Sequence, residues 1–130
     1  MVNSAEEISA SRRTRGLSAH LSGAAAEDTV ARHYESAGWT ILERRWRGEA
    51  GEIDLIAGRD SLTVFVEVKQ SSTIDAAIAS LRPRQLERVA ASAEVYFLSN
   101  AKFSSSEMRI DLAVIDKNQR IEIIENLTLW

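Results

Sequence analysis

Two β-like runs, Gly51-Glu52-Ile53-Asp54-Leu55-Ile56 and Phe65-Val66-Glu67-Val68-Lys69, constrain this chain more than any other feature. Between them lies Gly58-Arg59-Asp60-Ser61, a composition suited to a tight reversal, so strands over 52–57 and 62–69 are expected to pair as an antiparallel hairpin. Each run breaks its apolar pattern with a carboxylate, and Lys69 follows Glu67 by two residues. Side chains alternate across a strand, so the parity of the loop decides which of them meet. An even loop places Glu52, Asp54, Glu67 and Lys69 on one face and Ile53, Leu55, Val66 and Val68 on the other. That arrangement leaves one face to pack a helix and one to carry charge, with Ile56, Thr63 and Phe65 sharing the charged side. An odd loop would send Asp54 and Glu67 to opposite sides.

The flanking segments fill in the architecture. The stretch Ala19 to Ala37 is rich in alanine, carries Val30 and Tyr34 four apart, and meets Gly38 where a helix would end. Trp39-Thr40-Ile41-Leu42 reads as a short strand that runs into the basic segment Glu43-Arg44-Arg45-Trp46-Arg47. Leu86, Val89, Ala90, Ala93 and Phe97 recur at helical spacing within 82–98, with Pro83 in the first turn. Strands over 109–115 and 120–124 flank the turn-like Asp116-Lys117-Asn118-Gln119. The expected order is αβββαββ, an α/β fold with a mixed sheet flanked by helices. At 130 residues, one domain over 18–130 is expected, preceded by a flexible leader over 1–17.

Composition removes several function classes. The absence of cysteine excludes disulfides, thiolate metal sites and a cysteine nucleophile. No apolar stretch approaches the ~20 residues of a membrane helix, and the early acids Glu6 and Glu7 are unlike a secretory signal, so a cytoplasmic protein with no membrane partner is expected. A net charge of −3 and a pI near 5.4 argue against a uniformly basic nucleic-acid binder. Arginines nonetheless gather at Arg12, Arg13 and Arg15, at Arg44, Arg45 and Arg47, and at Arg82, Arg84 and Arg88. Such clusters suit bidentate phosphate contacts, and equally a solvated face.

Asp54 and Glu67 are about the number of carboxylates that a magnesium ion takes while keeping several waters. Lys69 on the same strand face is placed to orient an attacking water or to offset charge at a phosphoryl group. A salt-bridge network across a half-solvated sheet explains the same three residues, and both readings stay open on spacing alone. His20 and His33 lack a metal-binding spacing and read as helix-surface residues. Ser104-Ser105-Ser106 reads as a loop. Trp39, Trp46 and Trp130 suit core or edge positions, although Trp46, between two arginines, could stack on an unpaired base.

The hairpin motif, with Val64-Phe65-Val66-Glu67-Val68-Lys69 as its second half, resembles the signature of the YraN-like family, small bacterial proteins regarded as endonucleases of the restriction-endonuclease-like fold. The resemblance extends over most of 20–115. Gly23 through Glu27 is similar to that family's opening Gly-Glu helix motif, Leu81 through Tyr96 to its second helix, and Arg109-Ile110-Asp111 to its Arg-Phe-Asp strand. It implies that Asp54, Glu67 and Lys69 stand at the positions of a PD-(D/E)XK nuclease motif, with Ile53 where the motif has Pro. It further implies magnesium or manganese at Asp54 and Glu67, with Glu27 joining from the first helix, and hydrolysis of DNA, including branched or repair-intermediate DNA. Glu52 is then a neighbour of the site. Candidates for contact with nucleic acid are Arg44, Arg45, Arg47, Arg84 and Gln70. The chain departs from the family pattern at Lys69-Gln70-Ser71, where Lys-Thr-Arg is usual, at Arg84 for Lys, at Arg45 for Asn and at Ala26 for Gly. The alternative implied by those departures and by the net acidity is a catalytically idle module of the same fold that binds nucleic acid or a protein. Cutting both strands of a duplex needs two centres, which leaves a homodimer open.

Overall fold

The computed structural model of the chain describes residues 23–99 and 107–127. The leader over 1–17, His20, the start of the expected first helix, Ser104-Ser105-Ser106 and Trp130 lie outside them. A helix over 23–36, α1, leads into β1 (Thr40–Gly48), β2 (Gly51–Arg59) and β3 (Leu62–Gln70). Two helices follow, α2 (Ile74–Ser80) and α3 (Pro83–Ser99), and then β4 (Glu107–Ile115) and β5 (Ile121–Ile124). The five strands form one sheet in the order β1-β2-β3-β4-β5, with β3 and β4 parallel and the other neighbours antiparallel. This mixed sheet with flanking helices is consistent with the restriction-endonuclease-like fold.

The end of α1 is written in three residues. Gly38, at φ +93, supplies the left-handed turn; its N–H donates to the Glu35 carbonyl and that of Trp39 to the Tyr34 carbonyl, both at 3.0 Å. This 6→1 and 5→2 pairing satisfies the last carbonyls of the helix. The Trp39 ring then packs edge-on against Tyr34, with centroids 5.9 Å apart, which closes the apolar contact such an end usually carries.

Both faces of the sheet are covered. Val30, Ala31 and Tyr34 of α1 bury Leu55, Ala57, Val64, Val66 and Ala113 on one side. On the other, Ala93 and Tyr96 of α3 pack on Ile53, Ile56 and Phe65, and Ala77 of α2 on Leu112 and Val114. The expectation that one face packs a helix while the other carries charge is therefore corrected. The charged residues of the hairpin sit at one end of the sheet, not across a face.

Two further differences have physical causes. The short helix α2 has no place in the expected order αβββαββ; it forms because Thr73 caps it, its side chain accepting from the Ala76 N–H at 3.1 Å, and one buried residue, Ala77, is too little apolar signal to announce a helix. The strand begun at Trp39-Thr40-Ile41-Leu42 continues through the whole basic segment as β1. A register shift between Ile41 and Glu43 and the positive φ of Arg45 twist this edge strand. Trp46 settles against Tyr96, centroids 5.2 Å apart, as part of the core beside α3 rather than as an exposed stacking platform.

Candidate metal and phosphodiester site

The reversal between β2 and β3 has two residues, Asp60 and Ser61, and Asp60 takes the positive φ that a two-residue hairpin turn requires. The even loop keeps the pairs Arg59↔Leu62 through Leu55↔Val66. Carried one step further, that register sets Asp54 opposite Glu67. The ladder stops there, however, and the Asp54 carboxylate takes the place of a backbone acceptor, receiving the Val68 N–H at 2.8 Å.

Strict alternation fails at this point. Ile53 and Ile56, three apart, pack against the same helix α3, whereas Leu55 faces α1. The expectation that Ile53 would share a face with Leu55, Val66 and Val68 is corrected accordingly: β2 departs from a regular pleat around Asp54. Ladder hydrogen bonds end where the carboxylates begin, and Asp54 is held by main chain.

The electrostatics mark Asp54 and Glu67 as one unit. Burial pushes the Asp54 carboxyl up; the Val68 N–H pulls it down, Glu27 and Glu52 add to the rise, and Lys69 opposes it. Burial, then the charge of Asp54, pushes Glu67 up to about 7, with Lys69 opposing and a hydrogen bond to Asp54 adding to the rise. Two half-buried carboxyls set opposite each other cannot both ionise cheaply, and Glu67 is the one that keeps its proton toward neutral pH. Lys69 supplies compensating charge to both carboxyls.

Glu27 belongs to the same field but not to the same cluster. It raises Asp54 electrostatically, while its own carboxylate accepts from Arg45 Nε at 2.8 Å. Among the described residues no three carboxylate or imidazole groups converge as a metal cage. Two carboxyls with hard oxygen donors nonetheless fit a cation that keeps most of its waters, as magnesium does. The chemistry of Asp54 and Glu67 thus suits such an ion, with Glu27 outside the pair.

The candidates for nucleic-acid contact fall into two groups. Arg44 pairs with Asp28 at 3.1 Å, Arg45 with Glu27 at 2.8 Å and Arg47 with Glu52 at 3.3 Å; Asp28 also holds Arg32, and its carboxyl is lowered by Arg32 and then Arg44. Each arginine of the β1 cluster is thereby matched by an acid. Arg84 and Gln70 are exposed, and no carboxylate pairs with Arg84 among the described residues. Arg109 and Asp111, by contrast, are structural. Asp111 is fully buried and accepts from Arg109 Nε and Nη2, from the Tyr34 hydroxyl at 2.9 Å and from the Asn126 N–H at 3.1 Å. Burial beside this carboxylate pushes the Tyr34 phenol up, keeping it a donor.

A family model describing the uncharacterised protein family UPF0102 matches residues 26–115. The chain belongs to UPF0102. A UPF0102 protein of Ruegeria pomeroyi is 45% identical over 113 residues, covering 87% of this chain and 92% of that protein. One from Dinoroseobacter shibae is 43% identical over 122 residues, 94% and 91% of the two chains. Another, from Cereibacter sphaeroides, is 44% identical over 111 residues, 85% and 95%. The YraN-like resemblance of the hairpin is thus a family membership, and UPF0102 carries no assigned activity in these names. Among the described residues no helix is long and apolar enough to cross a membrane.

Proposed function

We propose that this UPF0102 protein is a metal-dependent endonuclease that hydrolyses phosphodiester bonds of DNA, with branched and repair-intermediate DNA as the structures to try first. The observation that carries the reading is the Asp54–Glu67 pair: two half-buried carboxyls set opposite each other where the hairpin ladder ends, Asp54 held by the Val68 N–H, with Lys69 two residues beyond Glu67. A sheet gains no stability from such a pair. Asp54 and Glu67 would hold a magnesium or manganese ion, which on binding supplies positive charge to the phosphoryl oxygens and lowers the pKa of water.

The remaining work falls to the chain. Val68 N–H fixes the Asp54 carboxylate, so its geometry is set before substrate arrives. Lys69 donates from Nζ to the attacking water or to a phosphoryl oxygen, countering charge that grows in the transition state. As the water oxygen bonds to phosphorus it gives up a proton to solvent, the P–O bond to the leaving oxygen breaks, and that oxygen takes up a proton from solvent. Glu27, held by Arg45, tunes the field at Asp54.

A second reading, a nucleic-acid-binding module without hydrolysis, is favoured by the Arg45–Glu27 pair, which keeps a third carboxylate from the site. Incubation with branched, nicked and single-stranded DNA plus magnesium or manganese separates the two. Cleavage lost in both Asp54→Asn and Lys69→Ala supports the nuclease. Cleavage that survives both substitutions refutes it, and metal binding without cleavage supports the idle module.

A further inference from the structure

Outside the carboxylate pair, the described residues form a surface groove whose charged lining is of a single sign. It has a volume of about 450 Å³ and is lined by Ser80, Arg82, Arg84, Gln85 and Arg88, where α2 hands over to α3. The larger cleft, about 580 Å³, mixes Asp75, Asp116 and Glu122 with Lys117 and Arg120 and is close to neutral. In the arginine groove no carboxylate lines the wall, and among the described residues none pairs with Arg82, Arg84 or Arg88. This is the reverse of the β1 cluster, where every arginine has its acid.

The groove is also pre-shaped. Arg84 and Arg88 are one helical turn apart and project from the same face of α3. Arg82 is pinned at its backbone: its N–H donates to Gln85 Oε1 at 3.2 Å, and its carbonyl accepts from the N–H of Gln85 and of Leu86. With no ion pair to any of the three among the described residues, like charges stand side by side, the situation a polyanion relieves.

Its place relative to the carboxylates follows from how α3 lies on the sheet. Ser92 Oγ sits against Gly51, the first residue of β2, 3.2 Å from where a Cβ would stand. Tyr96, one turn later, packs on Phe65, which pairs with Ile56 further along the hairpin. Running from Ser92 to Tyr96 therefore runs toward the Asp60-Ser61 reversal, and running backward leads the other way. Arg88 and Arg84 lie about 6 and 12 Å back along the axis from Ser92, at 1.5 Å per residue. That direction carries them toward the sheet end that holds Glu52, Asp54, Lys69 and Gln70.

We infer that the groove formed by Arg82, Arg84 and Arg88 binds backbone phosphates of a nucleic-acid strand and guides that strand to the Asp54–Glu67–Lys69 end of the sheet. The inference deepens the nuclease reading and rests on it for the direction of the strand. Phosphate, not base, is the chemistry recognised, so binding is indifferent to sequence and steep in salt.

The test uses fluorescently labelled 20-bp duplex and 20-nucleotide single-stranded DNA in EDTA, with anisotropy titrations between 50 and 200 mM salt. Arg84→Ala/Arg88→Ala is expected to weaken binding on the order of 10- to 100-fold and to reduce the slope of log affinity against log salt by about 2. Arg84→Lys/Arg88→Lys keeps that slope, and Lys117→Ala, in the neutral cleft, changes neither. Magnesium binding by calorimetry stays at the wild-type value in all three, which reads the carboxylate pair separately. An unchanged slope in the alanine variant overturns the groove while leaving the nuclease untouched. So does a lysine variant that behaves like the alanine one, or an equal loss in Lys117→Ala. Should the groove variants behave as expected while magnesium fails to bind and nothing is cut, the groove stands and the nuclease falls.

Discussion

Asp54 has two jobs that substitution can separate. Its carboxylate accepts the Val68 N–H where the β2–β3 ladder stops, and its charge raises Glu67. Asp54→Asn keeps an acceptor and removes the charge, so it should abolish magnesium binding by calorimetry without lowering metal-free stability. Asp54→Ala leaves the Val68 N–H without its partner and should cost roughly 1–3 kcal/mol in a urea melt. Equal stability in the two variants would show that the bond is not what holds this end of the sheet. The raised Glu67 gives a second expectation. Glu67 stands near 7 in the folded chain, above the ordinary 4.5, so between those values the folded state keeps a proton that the unfolded chain has released. Metal-free stability should therefore fall as pH rises from about 4.5 to 7 and level off above. The lowered Asp28 acts in the opposite sense, but below 3.8, outside this window. Glu67→Gln should flatten the fall; a thermal melt in which it does not would place the titration elsewhere.

At the scale of elements, α1 is tied to the sheet by one buried knot. Tyr34 donates to Asp111 on β4, Asp111 holds Arg109, and both Arg109 and Arg59 lie over the Trp39 ring that closes the helix. Asp111→Ala leaves Arg109 partly buried and without its main partner, and is expected to cost about 3–5 kcal/mol. Tyr34→Phe removes one of four donors to Asp111 and should cost nearer 1 kcal/mol. Chemical denaturation of the two variants checks the ratio, and a similar loss in both would mean the knot is not charge-dominated. Arg109 and Asp111 could be read in the sequence as a strand motif, but not as a structural pair, because the donors converge from 34, 109 and 126. The hairpin and the long helices were legible, since alternation and helical spacing are local. Capping by Thr73 and the twist at Arg45 depend on single side chains and backbone angles that periodicity does not register, so α2 and the length of β1 were not legible.

Over the whole molecule, the site is a place where folding holds a proton that a cation can replace. The two-residue reversal is the even case of a parity that the sequence left open, and it sets Asp54 opposite Glu67. The sequence did not show that helices cover both faces, nor that Arg45 would hold Glu27. Those depend on how α1 and α3 dock, which no single segment encodes. One global measurement follows. An ion that binds the folded chain alone stabilises it by RT ln(1 + [L]/Kd), about 1.4 kcal/mol at tenfold excess over Kd, or about 5 °C in Tm for a chain of this size. Because the ion must displace the proton that Glu67 keeps below about 7, magnesium should raise Tm at pH 8 and leave it almost unmoved at pH 5.5. Asp54→Asn should remove the pH 8 shift. If magnesium raises Tm equally at both pH values, or equally in Asp54→Asn, the ion is binding elsewhere on an acidic surface, and the paired carboxyls are not the cation site on which the hydrolytic reading depends.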